Sequence, residues 1–120
     1  MKIYERLVTS LGEFLKESYE DGFAILFDDN SPDEYKDYCI LHTGSDLSGN
    51  ICAGDTLSLG GTGYRVTAVG DVVNKNLSEI GHITLKFDGE TEAVQPGTLH
   101  LESKEIKEIK IGEKIEIFKN

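Results

Sequence analysis

The residues best suited to chemistry lie in Tyr38-Cys39-Ile40-Leu41-His42-Thr43-Gly44-Ser45, where an apolar, strand-like run delivers one histidine to a small polar turn. Neutral imidazole is a nucleophile, and an unperturbed pKa of about 6.5 keeps most of it neutral in cytosol. At a strand end, beside flexible backbone amides and hydroxyls, it can accept an electrophile while those groups stabilise the charge that follows. His82 and His100 are the other two histidines. Any single histidine is more often a hydrogen-bonded structural residue, so placement alone does not decide the matter.

Other chemistries fit the residues less well. Cys39 and His42 have zinc-like spacing, but on a strand they point to opposite faces, and no second close pair exists. Gly60-Gly61-Thr62-Gly63 lacks the Lys-Ser/Thr ending of a phosphate-binding loop and precedes a strand, so it reads as a hairpin turn. The acidic set Asp28, Asp29, Asp33, Glu34 and Asp37 does not match a calcium loop and reads as a solvated face or part of a partner's docking surface. Ser45 or Ser48 with His82 would need a nucleophile elbow that is missing. Neither Cys39 nor Cys52 has a cationic neighbour in sequence to lower its pKa, so both read as reduced, packed thiols. His42 is left as the best chemical centre.

The elements that must position it follow from pattern. Ile3 to Thr9 predicts a strand, and Leu11, Phe14 and Leu15 a short amphipathic helix before Gly22. Phe23 to Phe27 is a buried strand. Ser31 as N-cap, Pro32 at the first position and Glu34 predict a short helix feeding the Cys39 to His42 strand. Alternation over Asp55 to Leu59 and Tyr64 to Val69 predicts a hairpin, and Asn76 to Gly81 a helical turn ended by Gly81. Ile83 to Phe87, Thr98 to Glu102 and Lys114 to Phe118 supply further strands. The fold class is therefore all-β with minor helix, a small closed or partly closed barrel of roughly six to eight strands.

The chain's 120 residues, carrying 13 glycines and 2 prolines, suit one turn-rich domain spanning 1–120. A formal net charge of −10 argues against nucleic acid and anionic lipid as partners and is compatible with a basic protein partner. With no run of roughly 18 apolar residues and no signal pattern, the expectation is a cytoplasmic protein with no membrane insertion.

Longer strings carry a resemblance. They are Glu34-Tyr35-Lys36-Asp37-Tyr38-Cys39-Ile40-Leu41-His42, Val66-Thr67-Ala68-Val69-Gly70, Asn76-Leu77-Ser78-Glu79-Ile80-Gly81-His82-Ile83-Thr84-Leu85-Lys86-Phe87-Asp88-Gly89 and Pro96-Gly97-Thr98-Leu99-His100. Through nearly its full length the chain resembles the glucitol/sorbitol-specific IIA components of the bacterial phosphoenolpyruvate-dependent sugar phosphotransferase system. That resemblance implies a cytoplasmic β-barrel phosphocarrier of the transferase class. Its histidine accepts a phosphoryl group from HPr and passes it to the IIB part of the IIB/IIC permease for uptake and phosphorylation of the sugar. In the Tyr-Cys-x-x-His context the family's phosphorylated histidine aligns with His42. His82 and His100 match histidines of the pattern without a role to carry over, and the pattern departs at Thr43-Gly44-Ser45-Asp46.

On that reading neutral His42 attacks phosphorus in line, and catalysis is positioning plus charge stabilisation. The expected donors are the backbone amides of Thr43, Gly44 and Ser45 and the hydroxyls of Thr43 and Ser45. His82 either orients the imidazole, binds phosphoryl oxygens, or stabilises the turn after Gly81. No metal and no cofactor is called for. A non-catalytic barrel that binds a polyol, or a regulatory protein partner, is the alternative.

Overall fold

A computed structural model describes all residues, 1–120. Eight strands close into a barrel: β1 (Lys2–Leu11), β2 (Phe23–Asp28), β3 (Cys39–Gly44), β4 (Thr56–Leu59), β5 (Thr62–Val69), β6 (Ile83–Lys86), β7 (Thr98–Leu101) and β8 (Lys114–Phe118). Around the barrel the order is β1-β3-β2-β6-β7-β5-β4-β8, with β8 returning to β1. The expected all-β barrel is therefore present, at the upper end of the strand range and fully closed.

Alternation builds the interior. Leu26 on β2, Ile40 on β3, Leu57 and Leu59 on β4, Ile83 and Leu85 on β6, Leu99 and Leu101 on β7, and Ile115 and Ile117 on β8 are buried in one continuous cluster fed by all eight strands. Period-two spacing sends such residues to one face of a strand, and closure turns that face inward. Burying these side chains, at about 25 cal/mol per Å² of apolar surface, is the main force holding the barrel closed.

Two pairings, β2 with β3 and β6 with β7, are parallel. Parallel neighbours cannot be joined by a tight turn, so each needs a crossover. The first crossover contains a 3-10 helix at Asp33–Tyr38. The expected Ser31 cap does not form there: Pro32 is extended, with ψ of 141°, and its carbonyl accepts the Tyr35 N–H at 3.1 Å. The helical turn therefore starts one residue later, and the buried Ser31 hydroxyl has no partner.

Helix α1 spans Leu15–Glu20, because Leu11 ends β1 instead of opening the helix. Helix α2 spans Val73–Ile80, three residues earlier than its expected start, and packs Val73 and Leu77 inward. Gly81 caps it in the left-handed region, at φ 62° and ψ 23°. The β4–β5 hairpin turns on Gly60 and Gly61 alone, both at positive φ, so β5 begins at Thr62. Both cysteines are free, Cys39 buried and Cys52 exposed. No helix is long and apolar enough to cross a membrane.

Candidate functional site

Strand β3, which carries His42, lies between β1 and β2. Register then decides what surrounds the imidazole. His42 pairs with Val8 and Gly44 with Arg6 across the antiparallel β1–β3 ladder, while Asp28 lies directly opposite His42 across the parallel β2–β3 ladder. A diagonal neighbour on one strand and an opposite neighbour on the other bring a guanidinium and a carboxylate to one histidine.

His42 is wholly buried, and Arg6 is 7% exposed. Arg6 Nε donates to His42 Nδ1 at 3.0 Å, and His42 Nε2 lies 2.9 Å from the Gly81 carbonyl oxygen. An arginine has no acceptor and a carbonyl has no donor, so the two contacts assign the tautomer: the lone pair is on Nδ1 and the proton on Nε2. Burial pushes the imidazole's pKa down to about 4, with the Arg6 charge acting in the same direction against the Gly81 hydrogen bond. The ring is neutral at physiological pH.

All five guanidinium N–H groups of Arg6 have partners. Nη1 donates to the Ser45 carbonyl at 3.1 Å and the Gly44 carbonyl at 3.4 Å. Nη2 donates to the Asp28 carboxylate and to the His42 carbonyl, the latter at 3.3 Å. The Tyr4 ring lies 5.6 Å from the guanidinium carbon and edge-on to His42. A buried cation is tolerable only with such compensation, since an unpaired one costs several kcal/mol.

The remaining candidate residues fall around this cluster in different ways. Thr43 is exposed and, by alternation, on the opposite face of β3 from His42. Both donors of Ser45 are occupied by the Glu5 carbonyl, the amide at 3.2 Å and the hydroxyl at 3.0 Å. The 43–45 turn thus offers Arg6 two carbonyl acceptors. The atom that reaches His42 from the α2 end is the Gly81 carbonyl, while the His82 ring stacks flat on Phe27, 4.2 Å between centroids, and burial lowers its pKa. His100 binds Asp88 at 2.8 Å and borders a separate cavity with Lys86 and Glu90.

Sequence reading missed Arg6 and treated Asp28 as solvated. One signal was present: Tyr4, Arg6 and Val8 share the inward face of β1, and Arg6 is the charged residue in that apolar register. Asp28 had none, because its place beside His42 depends on a parallel pairing set by the crossover. The Cys39 thiol, pushed up to about 11 by burial, is no nucleophile at neutral pH.

Comparison with known proteins agrees with the resemblance drawn from the motifs. A family model described as PTS system glucitol/sorbitol-specific IIA component matches residues 3–116. Proteins named PTS system glucitol/sorbitol-specific EIIA component from Shigella flexneri and Escherichia coli (strain K12) are each 40% identical over 99 residues, covering 82% of this chain and 80% of theirs. The crystal structure of a PTS system IIA component from Enterococcus faecalis V583 superimposes with a TM-score of 0.83 at 26% identity, covering 96% of this chain and 99% of that one.

Proposed function

The chain belongs to the glucitol/sorbitol-specific IIA family of the sugar phosphotransferase system, and on that premise we propose that His42 is its phosphoryl carrier. Residues 1–120 work as one cytoplasmic IIA domain: His42 takes a phosphoryl group from phospho-HPr and hands it to the IIB component, which phosphorylates the polyol entering through IIC. The observation that carries this reading is a buried imidazole kept neutral, its tautomer assigned by Arg6 on one nitrogen and the Gly81 carbonyl on the other.

The chemistry asks for little else. Phosphoryl transfer between two histidines passes through a loose transition state whose charge is spread over three equatorial oxygens, so positioning and electrostatics supply the rate. A proton held on Nε2 leaves the Nδ1 lone pair free for in-line attack once its neighbour yields. As the new N–P bond forms, the ring gains positive charge, which the Gly81 carbonyl at the C-terminal, negative end of α2 stabilises.

Incubation with enzyme I, HPr and phosphoenolpyruvate tests the reading. The expected result is one acid-labile, base-stable phosphoryl group that His42→Ala does not acquire. Wild-type uptake by His42→Ala would overturn it, and saturable polyol binding without any phosphorylation would favour the non-catalytic alternative.

A further inference from the structure

Two cavities flank the site, and the walls they share are informative. One, of about 370 Å³, is bordered by Arg6, Asp28, Ser31, Asp46, Ile80 and Gly81 among others. The second, of about 150 Å³, is bordered by Arg6, Thr43, Gly44, Ser45 and Lys114 among others. Arg6 borders both, whereas His42 borders neither. The guanidinium therefore stands between the Nδ1 lone pair and the two openings from which a phosphoryl donor can approach.

We infer that Arg6 is a catalytic residue of the transfer: its guanidinium leaves Nδ1 to admit the phosphoryl group and then holds the equatorial oxygens while Asp28 keeps it in place. This rests on His42 as the carrier. In the step, the donor's N–P bond breaks and its electron pair returns to the donor imidazole, while the Nδ1 lone pair forms the new N–P bond. The Nε2 proton stays on the ring against Gly81, so the chain loses no proton. Arg6 suits the task because its planar fork matches two phosphoryl oxygens at once, and its charge needs no proton to be present. The partnerless Ser31 hydroxyl on the wall of the larger cavity is a further donor with nothing in the resting protein to receive it.

The test compares the wild-type protein, Arg6→Gln and Arg6→Lys in uptake from phospho-HPr, with folding checked by circular dichroism. Wild type should load, Arg6→Gln should load about 100-fold to 1,000-fold more slowly, the scale for loss of a preorganised charge-stabilising donor, and Arg6→Lys should fall between. Should Arg6→Gln fail to fold, ¹⁵N–³¹P NMR of the phosphorylated wild-type protein gives the answer. Phosphorus bonded to Nδ1 with a shifted Arg6 Nε–H signal supports the inference. Phosphorus on Nε2 with an unmoved Arg6 signal overturns it, as does wild-type loading by folded Arg6→Gln. A wild-type protein that never loads overturns the carrier reading itself.

Discussion

At the scale of single residues, the burial of His42 makes a signed prediction about pH. Its folded pKa of about 4 lies below the unfolded value of about 6.5, so between these limits the unfolded chain binds more protons. Stability contributed by keeping the ring neutral is fully present above about pH 6.5 and is lost as pH falls towards 4, by about 3 kcal/mol in all. Burial of His82 acts in the same direction, whereas the lowered carboxyls of Asp55 and Asp88 lose their contribution only at still lower pH. Denaturant titrations at pH 7 and pH 4.5 should show this drop, and His42→Gln should flatten most of it. An equally steep drop in His42→Gln would place the titration elsewhere. Asp28→Asn removes the carboxylate that faces the buried Arg6 charge and should cost about 2 kcal/mol in urea unfolding. His42 stood out as a candidate because it follows an apolar run and is adjacent in sequence to a polar turn. Arg6, 36 residues away, was not, because only strand register brings the two together.

The elements show where sequence reading works and where it stops. Alternating or apolar runs with turn residues at their ends marked every strand, since period two and turn chemistry are local properties. Gly81 as the end of a helical turn was likewise readable, because the left-handed cap is a demand on one residue. The pairing of those strands was not readable. Parallel β2 and β3 put Asp28 opposite His42, and the β6–β2 ladder brings the α2 cap over both. A Cβ at Gly81 would lie 3.1 Å from His42 Cε1 and from the Asp28 amide nitrogen, besides requiring a left-handed residue. Gly81→Ala should therefore destabilise by about 1–2 kcal/mol from backbone conformation alone. It should also slow phosphoryl uptake, because the ring must shift away from its carbonyl partner. Thermal unfolding together with loading kinetics checks both effects, and unchanged values in both would mean the cap does not position His42.

Across the whole molecule, a closed barrel leaves no free sheet edge and holds its strand ends in fixed relation, which suits a site assembled from three strands and one helix cap. A closed or partly closed barrel was expected from many short strands with glycine turns, and full closure, like the strand order, follows from pairings and crossovers that no local signal encodes. The net charge of −10 works at this scale too. It should speed encounter with a basic phosphoryl donor, and screening over a length of about 10 Å at 0.1 M salt weakens that pull. For a phosphoryl donor that docks through a basic face, loading should therefore slow severalfold between about 0.05 and 0.5 M NaCl under second-order conditions, while single-turnover transfer within the complex stays nearly constant. The proposed carrier role turns on which side chain takes the phosphoryl group. Loading the protein from phosphoenolpyruvate through enzyme I and HPr, then mapping the modified residue by electron-transfer fragmentation at alkaline pH, tests that directly. The phosphoryl group is predicted on His42 alone; finding it on His82 or His100 would contradict the account.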